Sequence, residues 1–283
     1  VAEPRIHIAS AVLAEQLGEA AREAGAAILE VVRKGFTAQK KIDASPVTDA
    51  DHAAEAVVLA ALARHAPGVP VVAEEQFAKG IVPDHGSSFF LVDPLDGTKS
   101  FIKGGDDYTV NIGLIEDGIP SLGAIYAPAT DRLWIAHHGG KAICEDEAGR
   151  RTVHVRERAS PMVALASKNH FTQGAADYLE RAFPGEAIEQ RAVGSSLKFG
   201  ILASGDADIY PRLGPTSEWD TAAGHAILIA AGGRCDGPDG QPLRYGKKSY
   251  FNPGFCATSG WEAPPIASYM EPFGGGGDLP QGV

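Results

Sequence analysis

Asp93-Pro94-Leu95-Asp96-Gly97-Thr98 constrains the fold more than any other segment. It ends the apolar run Phe89-Phe90-Leu91-Val92. The run predicts a buried strand, and the strand is expected to break at Asp93. Proline has no backbone N–H and cannot continue a central strand. Two carboxylates then stand three residues apart on a tight turn. Gly97 allows a ligand close to the backbone, and Thr98 adds a hydroxyl and an N–H. Hard oxygen ligands beside free amide donors suit a magnesium ion with a phosphate next to it. An ordinary polar Asp-Pro turn reads the same way in isolation, so the motif needs support from elsewhere.

Three other segments supply it. Ser45-Pro46-Val47-Thr48-Asp49-Ala50-Asp51 opens a helical stretch. Val71-Val72-Ala73-Glu74-Glu75 ends an apolar run in acid. Glu218-Trp219-Asp220-Thr221-Ala222-Ala223-Gly224 opens a small-residue helix. The four segments, in this order, resemble the inositol monophosphatase superfamily of metal-dependent phosphatases. DPLDGTKSFIK (Asp93 to Lys103), GSSLKF (Gly194 to Phe199), Tyr210-Pro211-Arg212 and WDTAAGH from Trp219 are similar to its CysQ branch, the 3′(2′),5′-bisphosphate nucleotidases. The motifs reach from about Ser45 to His225. Ser100 departs from the acidic residue frequent in DGTKEF, which weakens the branch assignment and leaves the metal motif untouched.

Composition narrows the class independently. A chain of 283 residues, 44% of them apolar, can bury a sizeable core as one large domain or two subdomains. No apolar stretch reaches the roughly 18 residues of a membrane span, and Val1-Ala2-Glu3-Pro4-Arg5 lacks signal-peptide order. A cytoplasmic location is the expectation, with peripheral membrane association left open. Cys144, Cys235 and Cys256 are three in number with no CxxC spacing, so free thiols are expected rather than zinc or disulfides. The net charge of −11 argues against binding a nucleic-acid polymer. A small phosphorylated substrate is compatible if local cations offset the repulsion. Lys99, Lys103, Lys198 and Arg212 are the basic candidates. Oligomeric state is not legible.

Leu13, Leu17, Ala21, Ala24, Ile28 and Val31 predict an opening helix. A second runs from Thr48 through Ala53, Val57 and Ala61. Val69 to Ala73 and Phe89 to Val92 read as buried strands. Tyr108 to Ile115, Ile119 to Tyr126, Leu133 to Ala136 and Lys141 to Cys144 predict an antiparallel meander. From about Pro161 strand and helix alternate: strands at Met162 to Ser167 and Ala207 to Tyr210, helices at Ala175 to Phe183, Ser195 to Ala203 and Thr221 to Ala231. The expected class is α/β, an α+β N-terminal half (1–158) followed by an α/β C-terminal half (159–272). Residues 273–283 read as a flexible, Gly-rich tail. The resemblance implies a layered α-β-α-β-α sandwich of the sugar-phosphatase type.

Glu74, Asp93, Asp96 and Asp220 each sit near a strand end or a helix start, where elements converge. Two unit charges 4 Å apart repel by roughly 4 kcal/mol at an effective dielectric of 20. Two magnesium ions would neutralise four carboxylates. The resemblance implies that Glu74, Asp93 and the Leu95 carbonyl hold one ion, and Asp93, Asp96 and Asp220 the other. It also implies a third, weaker ion near Glu74, a less suitable Glu75, and lithium sensitivity. Thr48-Asp49-Ala50-Asp51 fits a capping box. The resemblance gives Asp51 another role, accepting from the Thr98 hydroxyl, which activates the attacking water. Sequence leaves cap and base as rivals, with Asp49 the weaker alternative.

Backbone N–H groups of Gly97 and Thr98, at the start of a helix, would hold phosphate. With Leu95, Asp96 and Asp220 they form the substrate side, joined by Gly194, Ser195, Lys198 and Arg212. A second phosphate needs positive charge away from the metals. His137, His138 and His225 are read as packing or surface. No Ser or Cys triad is present, so no covalent nucleophile is expected. The expected reaction is Mg²⁺-dependent removal of the 3′-phosphate of adenosine 3′,5′-bisphosphate and its sulfated analogue. An inositol or sugar monophosphatase using the same site, and a non-catalytic metal- and anion-binding regulator, are the alternatives.

Overall fold

The computed structural model describes residues 8–36, 38–40, 46–168 and 173–270. The N-terminal pentapeptide, Ser45 and the Gly-rich tail considered above lie outside them. Helix α1 (Ala11–Lys34) buries Leu13, Leu17, Ala21, Ala24 and Ile28 on one face, as their spacing predicts. Ser10 caps it by accepting from the Leu13 N–H at 3.1 Å. Strands β1 (Ala38–Lys40) and β2 (Pro46–Thr48) pair antiparallel, and β2 leads into α2 (Asp49–His65). The buried face of α2 is Ala50, Ala54, Val58, Ala61 and Leu62, with Ala53 and Val57 at its margin. Alanine at so many positions leaves this helix without contrast: of the predicted stripe Ala61 is buried, whereas Ala53 and Val57 each lie one residue before a buried position.

Strand β3 (Val71–Ala73) is followed by the single turn α3 (Glu74–Phe77), β4 (Ser88–Asp96) and the short α4 (Thr98–Ile102). Then comes the meander β5 (Thr109–Glu116), β6 (Ile119–Ala127), β7 (Arg132–His137), β8 (Ala142–Asp146) and β9 (Gly149–Val153). The strands β3 to β9 form one seven-stranded sheet in sequence order, antiparallel except for β3 beside β4. Strand β9 is unpredicted because Gly-Arg-Arg-Thr is polar, as an edge strand can be.

Strand β4 differs from its expectation. It does not break at Asp93 but continues to Asp96. Asp93 pairs with Asn111 and Asp96 with Thr109, and the register shifts between them. Pro94 sits in that irregularity, where its missing N–H costs no ladder bond.

The rest comprises β10 (Met162–Ser167), α5 (Gln173–Ala182), β11 (Ile188–Val193), α6 (Leu197–Ala203) and β12 (Ile209–Arg212). These are followed by β13 (Thr216–Ser217), α7 (Ala222–Ala230), β14 (Arg234–Asp236), β15 (Phe251–Asn252) and β16 (Phe255–Thr258). The second sheet has the order β11-β10-β12-β16-β14. Strand β10 is parallel to both neighbours, while β16 is antiparallel to both of its own, so this sheet is mixed. Strands β11, β14 and β16 escaped prediction: β11 is an exposed edge, and the other two are too short to show a period.

Alternation of side chains sorts the layers. Phe90, Val92, Ile112, Leu122, Leu133 and Ile135 pack with α1 and α2. Phe89, Leu91, Ile125 and Trp134 face the opposite way, into a core shared with α6, α7 and the second sheet. Met162, Ala164, Ile209 and Cys256 pack with α5 beyond it. The order is α-β-α-β-α. Cys144, Cys235 and Cys256 are buried free thiols.

Two glycines set the height of the middle layer. Gly113 and Gly123 face each other across β5 and β6. A Cβ on Gly123 would lie 2.2 Å from the Ala223 carbonyl oxygen, and one on Gly113 2.7 Å from the Ala222 Cβ. Helix α7 therefore rests on bare backbone, and Asp220 is carried down with it. Gly123→Ala is expected to destabilise by roughly 1–3 kcal/mol, the usual cost of overpacking. Thermal unfolding checks this against Gly86→Ala, whose new methyl meets nothing within 4 Å. Equal midpoints would disprove the contact.

Candidate active site

Four acids reach one cleft from different local structures. Glu74 opens α3, Asp93 and Asp96 flank the irregularity in β4, and Asp220 precedes α7. They line a cleft of about 290 Å³ with Leu95, Gly97, Thr98, Gly194, Ser195, Lys198 and Arg212. Burial, then the charges of Glu74, Asp96 and Asp220, hold the Asp93 carboxyl well above the usual carboxylate range. Asp220 is raised as well, by burial first and then by Asp96 and Glu74. The Ser217 N–H, 2.9 Å from its Oδ2, and the charge of Arg212 pull the other way.

One buried and three half-buried carboxyls that repel one another make an oxygen-only donor set, which a hard dication would satisfy. The fit is to the chemistry of the set and not to a closed cage. Among the described residues no three His, Cys, Asp or Glu side chains already stand in metal-ligating geometry. Asp93 and Asp220 nevertheless both feel the charges of Glu74 and Asp96, as groups around one cleft do.

Asp51, buried in the first turn of α2, uses its two oxygens differently. Oδ2 accepts from the Thr48 N–H and the Thr48 hydroxyl, both at 2.7 Å. Thr48 Oγ1 accepts in turn from the Ala50 N–H at 3.1 Å, and the Thr48 side chain with the Asp51 backbone N–H completes a capping box. Oδ1 accepts from the Thr98 hydroxyl at 3.2 Å. That hydroxyl is also 3.0 Å from the Leu95 carbonyl, and its one proton serves one acceptor at a time. Asp51 itself sits behind Thr98 and does not line the cleft. Asp49 is exposed.

The opposite wall is built on tight turns. Gly97 has φ 96°, and a Cβ there would meet the Asp107 carbonyl oxygen at 2.5 Å. A Cβ on Gly194 would meet the Asp107 Cβ at the same 2.5 Å. Asp107 Oδ2 accepts from the Gly194 N–H at 3.0 Å and from Lys168 Nζ at 3.1 Å. Ser195 follows in the left-handed region, with φ 47°. Lys198 is buried; it donates to the Val193 and Ser195 carbonyls at 3.1 and 2.5 Å and lies 5.0 Å from the Tyr210 ring centroid. Burial pushes its ammonium down to about 8. Arg212 donates to the Gly214 and Pro215 carbonyls at 3.4 and 3.2 Å. Lys99 lines the cleft, exposed. Lys103 does not: α4 is a single turn, and Lys103 lies past its end.

Sequence reasoning missed Asp107, Ser196 and Asn111. Ser196 Oγ lies 2.7 Å from Asp96 Oδ2 and 2.6 Å from the Asp220 carbonyl, and accepts from Asn111 Nδ2 at 2.9 Å. The available signal was an amide inside the apolar strand Val110-Asn111-Ile112. Glu55 was missed too; it accepts from the Glu75 N–H at 2.9 Å and so fastens α3. His225 is buried, pushed down to about 3 by burial, with Nδ1 3.1 Å from the Tyr245 hydroxyl.

A five-layer α/β sandwich with acids and basic groups around one cleft is the architecture of a phosphatase class, and comparison with known proteins agrees. Residues 10–267 match the Inositol monophosphatase family, and the chain belongs to that family. It is similar to the 3′(2′),5′-bisphosphate nucleotidase CysQ of Salmonella typhimurium, 44% identical over 247 residues, 86% of this chain and 98% of that one. The CysQ of Escherichia coli K12 is 43% identical over 244 residues, 85% of this chain and 97% of its own. A crystal structure of CysQ from Bacteroides thetaiotaomicron has a TM-score of 0.75 at 32% identity, covering 89% of this chain and 98% of that one. The motif resemblance is borne out for family, branch and fold.

Proposed function

We propose that this chain is a magnesium-dependent 3′(2′),5′-bisphosphate nucleotidase that removes the 3′-phosphate of adenosine 3′,5′-bisphosphate and its sulfated analogue. One observation carries the reading: Glu74, Asp93, Asp96 and Asp220 share a cleft with Thr98, whose hydroxyl meets Asp51. Metal dependence fits the family. Glu74, Asp93 and the Leu95 carbonyl would hold one ion, and Asp93, Asp96 and Asp220 a second, with a third, weaker position beside Glu74. When bound, such ions lower the pKa of water and neutralise phosphate charge.

The chain's own groups do the rest. The Thr98 hydroxyl takes a proton from the attacking water as it passes its own to Asp51 Oδ1. Backbone N–H groups of Gly97 and Thr98 hold the scissile phosphate. Gly194 and Ser195 shape the opposite wall, and Lys198 and Arg212 face the second phosphate. The cleft, about 290 Å³, suits a small ligand. Among the described residues no helix is long and apolar enough to cross a membrane. The proposed setting is the cytoplasm, where free thiols persist. The proposed subdomain boundary falls at 158/159, between the end of β9 and the start of β10.

Hydrolysis of adenosine 3′,5′-bisphosphate, inositol monophosphate and fructose bisphosphate, side by side with Mg²⁺, tests this. The nucleotide is expected to win; a faster inositol or sugar phosphate would overturn the substrate and keep the chemistry. No turnover of any of the three would favour a non-catalytic regulator. Calcium is expected to compete without supporting turnover, because it tolerates irregular coordination and aligns in-line attack less well. Lithium is expected to inhibit. Full activity in calcium alone, or indifference to high lithium, would count against the site.

A further inference from the structure

We infer that Ser196 and Asn111 are positioning residues that pin Asp96 to Asp220 and thereby set the affinity of the second cation position. The inference rests on the metal reading above and goes beyond it to two residues that ligate nothing themselves. Asn111 stands opposite Asp93 across β4 and β5, so both side chains share the cleft face of the sheet. Its Nδ2 donates to Ser196 Oγ at 2.9 Å. A hydroxyl that accepts from an amide keeps its own proton to give. Two acceptors stand within reach, Asp96 Oδ2 at 2.7 Å and the Asp220 main-chain oxygen at 2.6 Å, and the single proton serves one of them at a time, so the hydroxyl ties the two by alternating between them.

The pin joins separate layers. Asn111 and Asp96 belong to the seven-stranded sheet, whereas Ser196 opens α6 and Asp220 precedes α7. Among the described residues, Ser196 is the hydrogen-bond donor to the Asp96 carboxylate. Repulsion from Asp93 and Asp220 would otherwise turn that carboxylate outwards. Ser196 and Asn111 are 3% and 1% exposed, so neither contact competes with bulk water. Asn111 also carries a cost: among the described residues its Oδ1 has no hydrogen-bond partner. A Val or Ile would suit this apolar strand better, since a buried unpaired polar atom is unfavourable. What Asn111 supplies in return is the amide that orients the Ser196 proton.

The test is calorimetric titration of Mg²⁺ into the chelator-stripped full chain, with unfolding midpoints measured in parallel. Wild type is expected to show two classes of site. Ser196→Ala is expected to weaken the lower-affinity class by roughly tenfold or more and to leave the tighter class within about twofold, in the range seen when a group holding a ligand is removed. Ser196→Thr keeps the hydroxyl and is expected to restore the second class. Asn111→Ala is expected to fall between them. A Ser196→Ala protein that is less stable but binds both ions normally would overturn the inference, leaving Ser196 a structural hydroxyl. If Ser196→Ala does not fold, Asn111→Ala decides: an unchanged second class overturns the pin, a weakened one upholds it. A wild type that binds no Mg²⁺ would remove the metal reading and the pin together.

Discussion

Asp93→Asn is expected to keep the fold and to lose kcat by roughly 10³-fold or more, since one change loosens both proposed ions and effects within a catalytic unit do not add. Stability should move in the opposite direction. Asp93 is held well above the usual carboxylate range by burial and by Glu74, Asp96 and Asp220. A raised value means that the folded state binds the proton more tightly than the unfolded chain does. The contribution is fully present below about pH 4, the unfolded value, and is lost as pH rises through the folded one. At neutral pH without metal, the neutral amide should therefore raise the midpoint by roughly 2–4 °C, equivalent to about 1 kcal/mol for a chain of this size. The gap should close as pH falls, because protonated Asp and Asn carry the same charge. Saturating Mg²⁺ should reverse the order: a ligand at 100 times its Kd stabilises by about 2.7 kcal/mol, and the variant loses most of that. Near-normal turnover of Asp93→Asn at low magnesium would sink the metal assignment.

The second large effect concerns Thr98 and Asp51. Thr98→Ala and Asp51→Asn are each expected to cut kcat by roughly 10²–10⁴ if general-base catalysis is lost. KM should change less, because the phosphate keeps its backbone N–H groups and the proposed metals. The double variant should be little worse than either single one, since the two residues act as a unit. Asp51 also caps α2 through Oδ2, so its variant should lose on the order of 1 kcal/mol of stability as well. Thr98→Ala should not lose the cap. The two functions of one carboxylate are thus separable by measuring kcat and the unfolding midpoint on all three variants. Additive losses in kcat, or an Asp51→Asn enzyme that is merely less stable, would refute the paired base.

Much of this was legible in the chain itself because it is local. The stripe of α1, the period of β5 to β7 and the Thr48–Asp51 cap each depend on residues a few positions apart, and short-range sterics determine them. The acids were readable because Glu74, Asp96 and Asp220 lie at or beside element ends and Asp93 stands next to Pro94, all of which punctuation in the sequence marks. The tertiary structure decided what depends on distant pairs. Pro94 ends no strand because β5 tolerates an irregularity opposite it. Lys103 leaves the cleft because α4 stops after one turn. Asp51 serves as cap and as Thr98 acceptor together because its two oxygens point at different elements, which no rivalry drawn from the sequence foresaw. Asn111 and Ser196 meet across 85 residues, and Gly113 and Gly123 make room for α7 only once two sheets enclose it. A hydrogen bond or a close contact of that kind has no period and no spacing; only packing of the layers brings its partners together.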